Sequence, residues 1–162
     1  MRRTSLVQRL FAIALVVWAI DFLTKNWAIS NLSSSPRKII GNLLQLTLLR
    51  NPGAAFSMAT GFTIIFTSIS MGVAIFIMRY AARITSSWWA IVAGLVLGGV
   101  LGNLSDRIFR EPGFLYGHVI DWIELPHWPI FNIADSSIFI AAGIAILLTV
   151  RNISPTASVR TP

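Results

Sequence analysis

An all-α membrane protein, with four transmembrane helices carrying a small β platform on one face of the bilayer, is the fold class that this 162-residue sequence predicts. Two observations carry that reading. Apolar residues make up 55% and charged residues 12%, and the mean hydropathy of +0.72 lies far outside the soluble range. The apolar sequence also falls into four long runs, and between the first two lies a stretch with the alternation of short strands. One domain spans residues 1–151, and a polar, disordered tail is expected over 152–162.

Arg2, Arg3 and Arg9 precede an apolar run over 10–28. The run continues through Asp21 and Lys25 without a small-residue cleavage pattern, so it reads as a first spanning helix rather than a removable leader. Asp21 and Lys25 stand four apart and share a helix face, either as an ion pair that makes two charges tolerable or as part of a site. Residues 30–58 turn polar and strand-like, with Gly41 as punctuation, and then Pro52 and Gly53 mark a turn just after Asn51.

Residues 61–78 contain no charge and approach the roughly 20 needed to cross the hydrocarbon core, giving the second helix. The third occupies 88–104, where Ala90, Gly94, Gly98 and Gly102 recur every fourth position, a pattern for close helix packing. At its end Asn103, Asp106 and Arg107 lie three and four apart and are expected to point into one space. An irregular segment follows, with Trp122 and Trp128 suited to the lipid–water boundary. The fourth helix covers 133–150, with Asn132 and Asp135 at its start, where a carboxylate meets the positive end of the helix dipole.

Four spans put both termini on one side. That side receives Arg2, Arg3, Arg9, Arg79, Arg83, Arg151 and Arg160, against Lys25, Arg37, Lys38, Arg50, Arg107 and Arg110 on the other. The count is nearly balanced, but the short basic connection between helices two and three sides with the basic N-terminus, so both are expected in the cytoplasm. All six acidic residues then lie at or beyond the outer face. The net charge of +7 is scattered over segment ends and forms no patch for nucleic acid. Without cysteine there is no thiolate nucleophile, disulfide or cysteine metal site.

A carboxylate in hydrocarbon costs about 3 kcal/mol on insertion scales, so such residues face a protein interior and mark function. Asp121 and Asp135 stand in apolar frames with no basic neighbour, whereas Asp21 has Lys25 and Asp106 has Arg107. Two carboxyl groups brought together share one proton and act as acid and base, which points to an aspartic protease dyad. A competing reading is a proton-coupled transporter or channel subunit, but the acids cluster at one face and no inverted repeat is visible. A zinc site using His118 and His127 is weaker, since they lack i, i+4 spacing.

The ordered motifs DFLTK (from Asp21 to Lys25), NPGAAF (from Asn51), GG..GNLSDR (from Gly98 to Arg107), VID (ending at Asp121) and FNIAD (ending at Asp135) resemble those of the lipoprotein signal peptidases, or type II signal peptidases. The resemblance runs from the first helix to the fourth. It implies an aspartic endopeptidase of the bacterial cytoplasmic membrane that cuts before the diacylglyceryl-modified cysteine of prolipoproteins, with no cofactor and no metal. It assigns catalysis to Asp121 and Asp135, substrate binding to Asn51, Asn103, Arg107 and Asn132, and supporting roles to Asp21, Lys25, Gly53 and Asp106. It further implies an extracytoplasmic β-cradle over about 39–58, a short mobile helix or loop near REPGFLYG, contact with membrane lipids, and inhibition by globomycin. The sequence departs from the common pattern in Trp122, where a Phe often stands, and in the compact fourteen-position spacing between the two aspartates. A groove between helices one, two and three, with room left by Ala54, Ala55, Gly94 and Gly98, is expected to take the signal helix.

Overall fold

The fold is that of a computed structural model, which describes residues 3–53 and 63–156. Among these, four helices are long and apolar enough to cross a membrane: α1 (Arg3–Asn31), α2 (Thr63–Tyr80), α3 (Ser87–Phe109) and α4 (Ile133–Val150). In hydrocarbon every backbone polar group must be satisfied internally, and a continuous helix does this within one segment. Large apolar side chains such as Leu15, Leu23, Phe76, Phe139 and Leu147 point outward, as expected of surfaces that meet lipid.

α3 is the hub, with more of its surface buried than any of the other three helices. Its glycines are the reason. A Cβ on Gly98 would lie 2.6 Å from Val17 Cβ and 2.7 Å from Ala14 O, and one on Gly94 would lie 2.8 Å from Leu10 O, so α1 packs directly on this face. On the other side a Cβ on Gly99 would lie 2.5 Å from Ala134 O of α4. The four-residue repeat is therefore helix packing, as the sequence indicates. The expectation that Gly94 and Gly98 leave room for a bound helix is corrected, because α1 fills that space. Ala54 and Ala55 lie outside the described residues. The core between these helices is built from Leu10, Ala14, Ala74, Leu97 and Val100.

The helices overrun the expected ends except for α4, whose bounds match the sequence reading. Its start is fixed by a capping box: the Asn132 side chain accepts from Asp135 N, and the Asp135 side chain accepts from Asn132 N. α3 continues to Phe109, so Asn103, Asp106 and Arg107 lie in its last turns.

A three-stranded antiparallel sheet is present among the described residues: β1 (Arg37–Ile40), β2 (Leu44–Asn51) and β3 (Val119–Glu124), in the order β1-β2-β3. The cradle expected over 39–58 begins at Arg37 and its second strand ends at Asn51, while residues 54–58 lie outside the described residues. Its third strand comes from the far side of the chain, with Leu49 opposite Asp121 and Asn51 opposite Val119. The connection from β3 to α4 folds back on itself, since Trp122 N and Ile123 N both donate to Phe131 O, and Phe131 N donates to Ile123 O. This doubling is how fourteen positions of chain bring Asp121 and Asp135 to one place.

Residues 110–118 form a loop without a helix, tied down by Gly117 N donating to Arg107 O and by Thr67 Oγ1 of α2 donating to Leu115 O. Where disorder is expected in the tail, Thr85 N donates to Pro155 O and Trp89 Nε1 to Ile153 O, fixing its first residues on the α2–α3 connection. Residues 157–162 lie outside the described residues.

Candidate active site

Asp121 projects from the middle of β3, and Asp135 from the first turn of α4. Both line one cleft of about 230 Å³, together with Asn51, Gly53, Asn103 and Arg107. Asn132 lies just beneath, fully buried, and donates through Nδ2 to Asp121 Oδ1 at 2.6 Å. Thus the two candidate aspartates and the four candidate binding residues assemble around one space.

Three side-chain amides surround the carboxylates, and each has its carbonyl oxygen claimed by a donor. Asn51 Oδ1 accepts from Gly53 N at 2.9 Å, which turns its Nδ2 to Asp121 Oδ2 at 2.8 Å. Asn132 Oδ1 accepts from Asp135 N at 2.9 Å, leaving its Nδ2 for Asp121. Asn103 Oδ1 accepts from Lys25 Nζ at 2.9 Å, so its Nδ2 faces Asp135 Oδ1 at 2.8 Å. Amide N–H groups, not lone pairs, therefore face both acids.

The charges divide into two groups. Behind the cleft, fully buried Lys25 pairs with Asp21 at 2.7 Å and Asp106 at 2.8 Å, and Arg110 pairs with the other oxygen of Asp106. Asp106 Oδ2 also accepts from Ile120 N at 3.1 Å, and Asp21 Oδ1 from Ala134 N at 2.9 Å. In the cleft itself, Arg107 Nη1 donates to the carbonyls of Gly117 and Asn51 at 3.2 and 3.4 Å. The pairing of Asp106 with Arg107 expected from their adjacency is corrected, as is the single space for Asn103, Asp106 and Arg107. Successive helix residues do not face each other, and Asp106 turns toward α1 and Arg110 while Arg107 turns into the cleft.

Burial pushes the Asp121 carboxyl up to about 7, the Asp135 charge adds to this, and the amide hydrogen bonds of Asn51 and Asn132 and the charge of Lys25 oppose it. A carboxyl group in this range beside a second carboxylate is suited to hold a proton near neutrality. Three residues escaped sequence reasoning. Phe66 and Ser70 of α2, one turn apart, complete the cleft wall. Asn26 of α1 accepts from Arg110 Nη2 at 3.1 Å, a position one residue past Lys25 that carried no charge to signal it. His118 and His127 join no group of three or more metal-binding side chains among the described residues.

Beside Asp135 a second cleft of about 530 Å³ is walled by Leu125, Trp128, Phe131, Phe139 and Ile140. Its walls are apolar and it opens between the β3–α4 connection and the outward face of α4.

The family model described as signal peptidase (SPase) II matches residues 13–151. A lipoprotein signal peptidase of Rhodococcus jostii is 49% identical over 90% of this chain and 74% of its own length. That of Leifsonia xyli is 50% identical over 89% and 68%, and that of Mycobacterium tuberculosis strain H37Rv is 46% identical over 91% and 72%. A solved bacterial membrane enzyme, determined in meso at 2.3 Å, superposes with a TM-score of 0.76 at 26% identity over 94% of each chain. A second, at 1.9 Å, gives 0.76 at 27% identity over 88% of this chain and 93% of that one.

Proposed function

Since the chain belongs to the signal peptidase II family, a protease family of multi-pass bacterial membrane proteins that removes signal peptides from prolipoproteins, we propose that it does so as an aspartic endopeptidase with Asp121 and Asp135 as its dyad. The observation that carries this reading is the meeting of the two carboxyl groups in one cleft, each faced by amide donors. Charge bookkeeping agrees. The group behind the cleft is neutral, with Asp21 and Asp106 against Lys25 and Arg110, and the cleft is neutral too when one proton is shared by the dyad beside Arg107.

Burial favours the proton on Asp121, which makes Asp121 the acid and leaves Asp135 as the base. The Asp135 carboxylate takes a proton from a water as its oxygen bonds to the scissile carbonyl carbon, and Asp121 donates a hydrogen bond to the carbonyl oxygen. The tetrahedral adduct collapses, the C–N bond breaks, and the proton held by Asp135 passes to the departing amine. Asn51, Asn103, Arg107 and Asn132 hold the peptide and the dyad, with Asp21, Lys25, Gly53 and Asp106 in support. The scissile bond precedes a diacylglyceryl-cysteine, whose acyl chains suit the apolar cleft beside Asp135. Globomycin is expected to occupy the same site, and the site faces the extracytoplasmic side. A proton-relaying transporter gains no support from the family.

The test is processing of a diacylglyceryl-modified precursor by purified Asp121→Asn and Asp135→Asn variants. Each is expected to lose activity by about 100-fold or more, with chelators leaving the parent protein unchanged. Full activity in either variant, or loss on chelation, would overturn the dyad.

A further inference from the structure

One side chain in the group behind the cleft touches neither substrate space nor solvent, yet it reaches both halves of the proposed dyad. Lys25 is fully buried, and its ammonium lies within 2.9 Å of three oxygens: Asp21 Oδ2, Asp106 Oδ2 and Asn103 Oδ1. Each of these partners then holds a dyad residue or the residue just before one. Asp21 accepts from the peptide N–H of Ala134, which precedes Asp135. Asp106 accepts from the peptide N–H of Ile120, which precedes Asp121. Asn103 donates directly to Asp135.

We infer that Lys25 is a positioning residue: it sets the spacing of the two carboxyl groups through Asp21 and Asp106, and it fixes the amide of Asn103 so that N–H rather than a lone pair faces Asp135. This inference rests on the dyad reading above. The Asn103 amide is the informative part. Asn51 and Asn132 are oriented by backbone N–H groups, which no side-chain substitution removes. Asn103, by contrast, takes its orientation from side chains: its Oδ1 accepts from Lys25 Nζ at 2.9 Å and from Asn132 Nδ2 at 3.2 Å, and the cation is the closer and stronger donor. An amide left to rotate presents a carbonyl lone pair to the Asp135 carboxylate, which repels it. Charge neutralisation alone accounts for the pairs with Asp21 and Asp106, but it does not require the third contact.

A role limited to balancing buried charge and a positioning role predict different outcomes for one double variant. Lys25→Met/Asp21→Asn keeps the buried group neutral, because Asp106 and Arg110 remain paired, and an asparagine oxygen still accepts from Ala134 N. It removes the closer of the two donors to Asn103 Oδ1 and leaves the neutral Asn132 amide at 3.2 Å. With a diacylglyceryl-modified precursor peptide in detergent or nanodiscs, kcat is expected to fall on the order of 100-fold while KM stays within about threefold, since misplacement of reacting groups on the scale of 1 Å costs about that much. Lys25→Met alone is expected also to move the pH–rate profile to higher pH. The positive charge of Lys25 favours the ionised form of Asp121, and the other charges around it, Asp21 on α1, Asp106, Arg107 and Arg110 on α3 and Asp135 on α4, are unchanged in that variant. Where the single variant does not fold, the neutral double variant supplies the result. Activity of the double variant within about threefold of the parent, or a loss confined to KM, would overturn the inference. An active Asp121→Asn control would instead overturn the dyad reading on which it stands.

Discussion

At the scale of single residues, Asp121 combines opposed influences, with burial and the charge of Asp135 holding a proton on it while Asn51, Asn132 and Lys25 favour its loss. Burial wins, and the consequence for stability has a definite sign. The carboxyl group binds its proton more tightly in the folded protein, at about 7, than at the ordinary value of 3.8. Between these values the folded state holds the extra proton, so the stability it lends is complete below about pH 4 and is lost as pH rises toward about pH 7. The thermal-unfolding midpoint of the purified protein is therefore expected to decline over that interval and then level. In Asp121→Asn the decline should be distinctly shallower, and equal slopes in the two proteins would remove Asp121 as its source. The lone acids in apolar sequence were legible because desolvating a carboxylate is costly wherever it occurs. The partner of Asp106 was not, because adjacency in sequence says nothing about facing, and Lys25 lies 81 positions away on another helix.

At the scale of elements, the α1–α3 contact depends on the absence of side chains at Gly94, Gly98 and Gly102. A methyl group at Gly98 would press on Ala14 backbone 2.7 Å away, and backbone gives way only by moving the helix. Gly98→Ala is expected to destabilise the fold by about 1–3 kcal/mol, and to depress activity as well, because α1 carries Lys25. Gly143→Ala is the matching control, since a Cβ there meets nothing within 4 Å on the outward side of α4. It should be neutral or slightly stabilising, as expected when a helix residue loses the backbone freedom of glycine. Thermal unfolding of both variants in one detergent separates packing from composition. The four helices and the small-residue stripe were legible because periodicity and hydropathy are local properties of the chain. Strand β3 was not, since six residues pair with β2 only after α2 and α3 have brought the chain back. Strands of that length draw their stability from partners rather than from their own sequence.

At the scale of the whole molecule, the tail and the α2–α3 connection lie together through the Pro155 and Ile153 carbonyls, at the end of the bundle opposite the sheet-bearing connections. That end carries Arg79, Arg83 and Arg151, and basic residues in short connections are retained in the cytoplasm. The sheet, the proposed dyad and the apolar cleft are then expected to face outward, where a precursor held in the bilayer by acyl chains would present its cleavage site near the interface. Orientation is testable because the chain contains no cysteine. A cysteine introduced at exposed Ser34, between α1 and β1, is expected to react with a membrane-impermeant maleimide on intact cells or protoplasts. One introduced at exposed Ser154 should react only after the membrane is opened. The reverse pattern would put the dyad in the cytoplasm, on the wrong side for precursors already translocated. Labelling of both sites on intact cells would break the four-span arrangement itself, since three crossings, α2, α3 and α4, separate the α1–β1 loop from the tail and leave them on opposite faces.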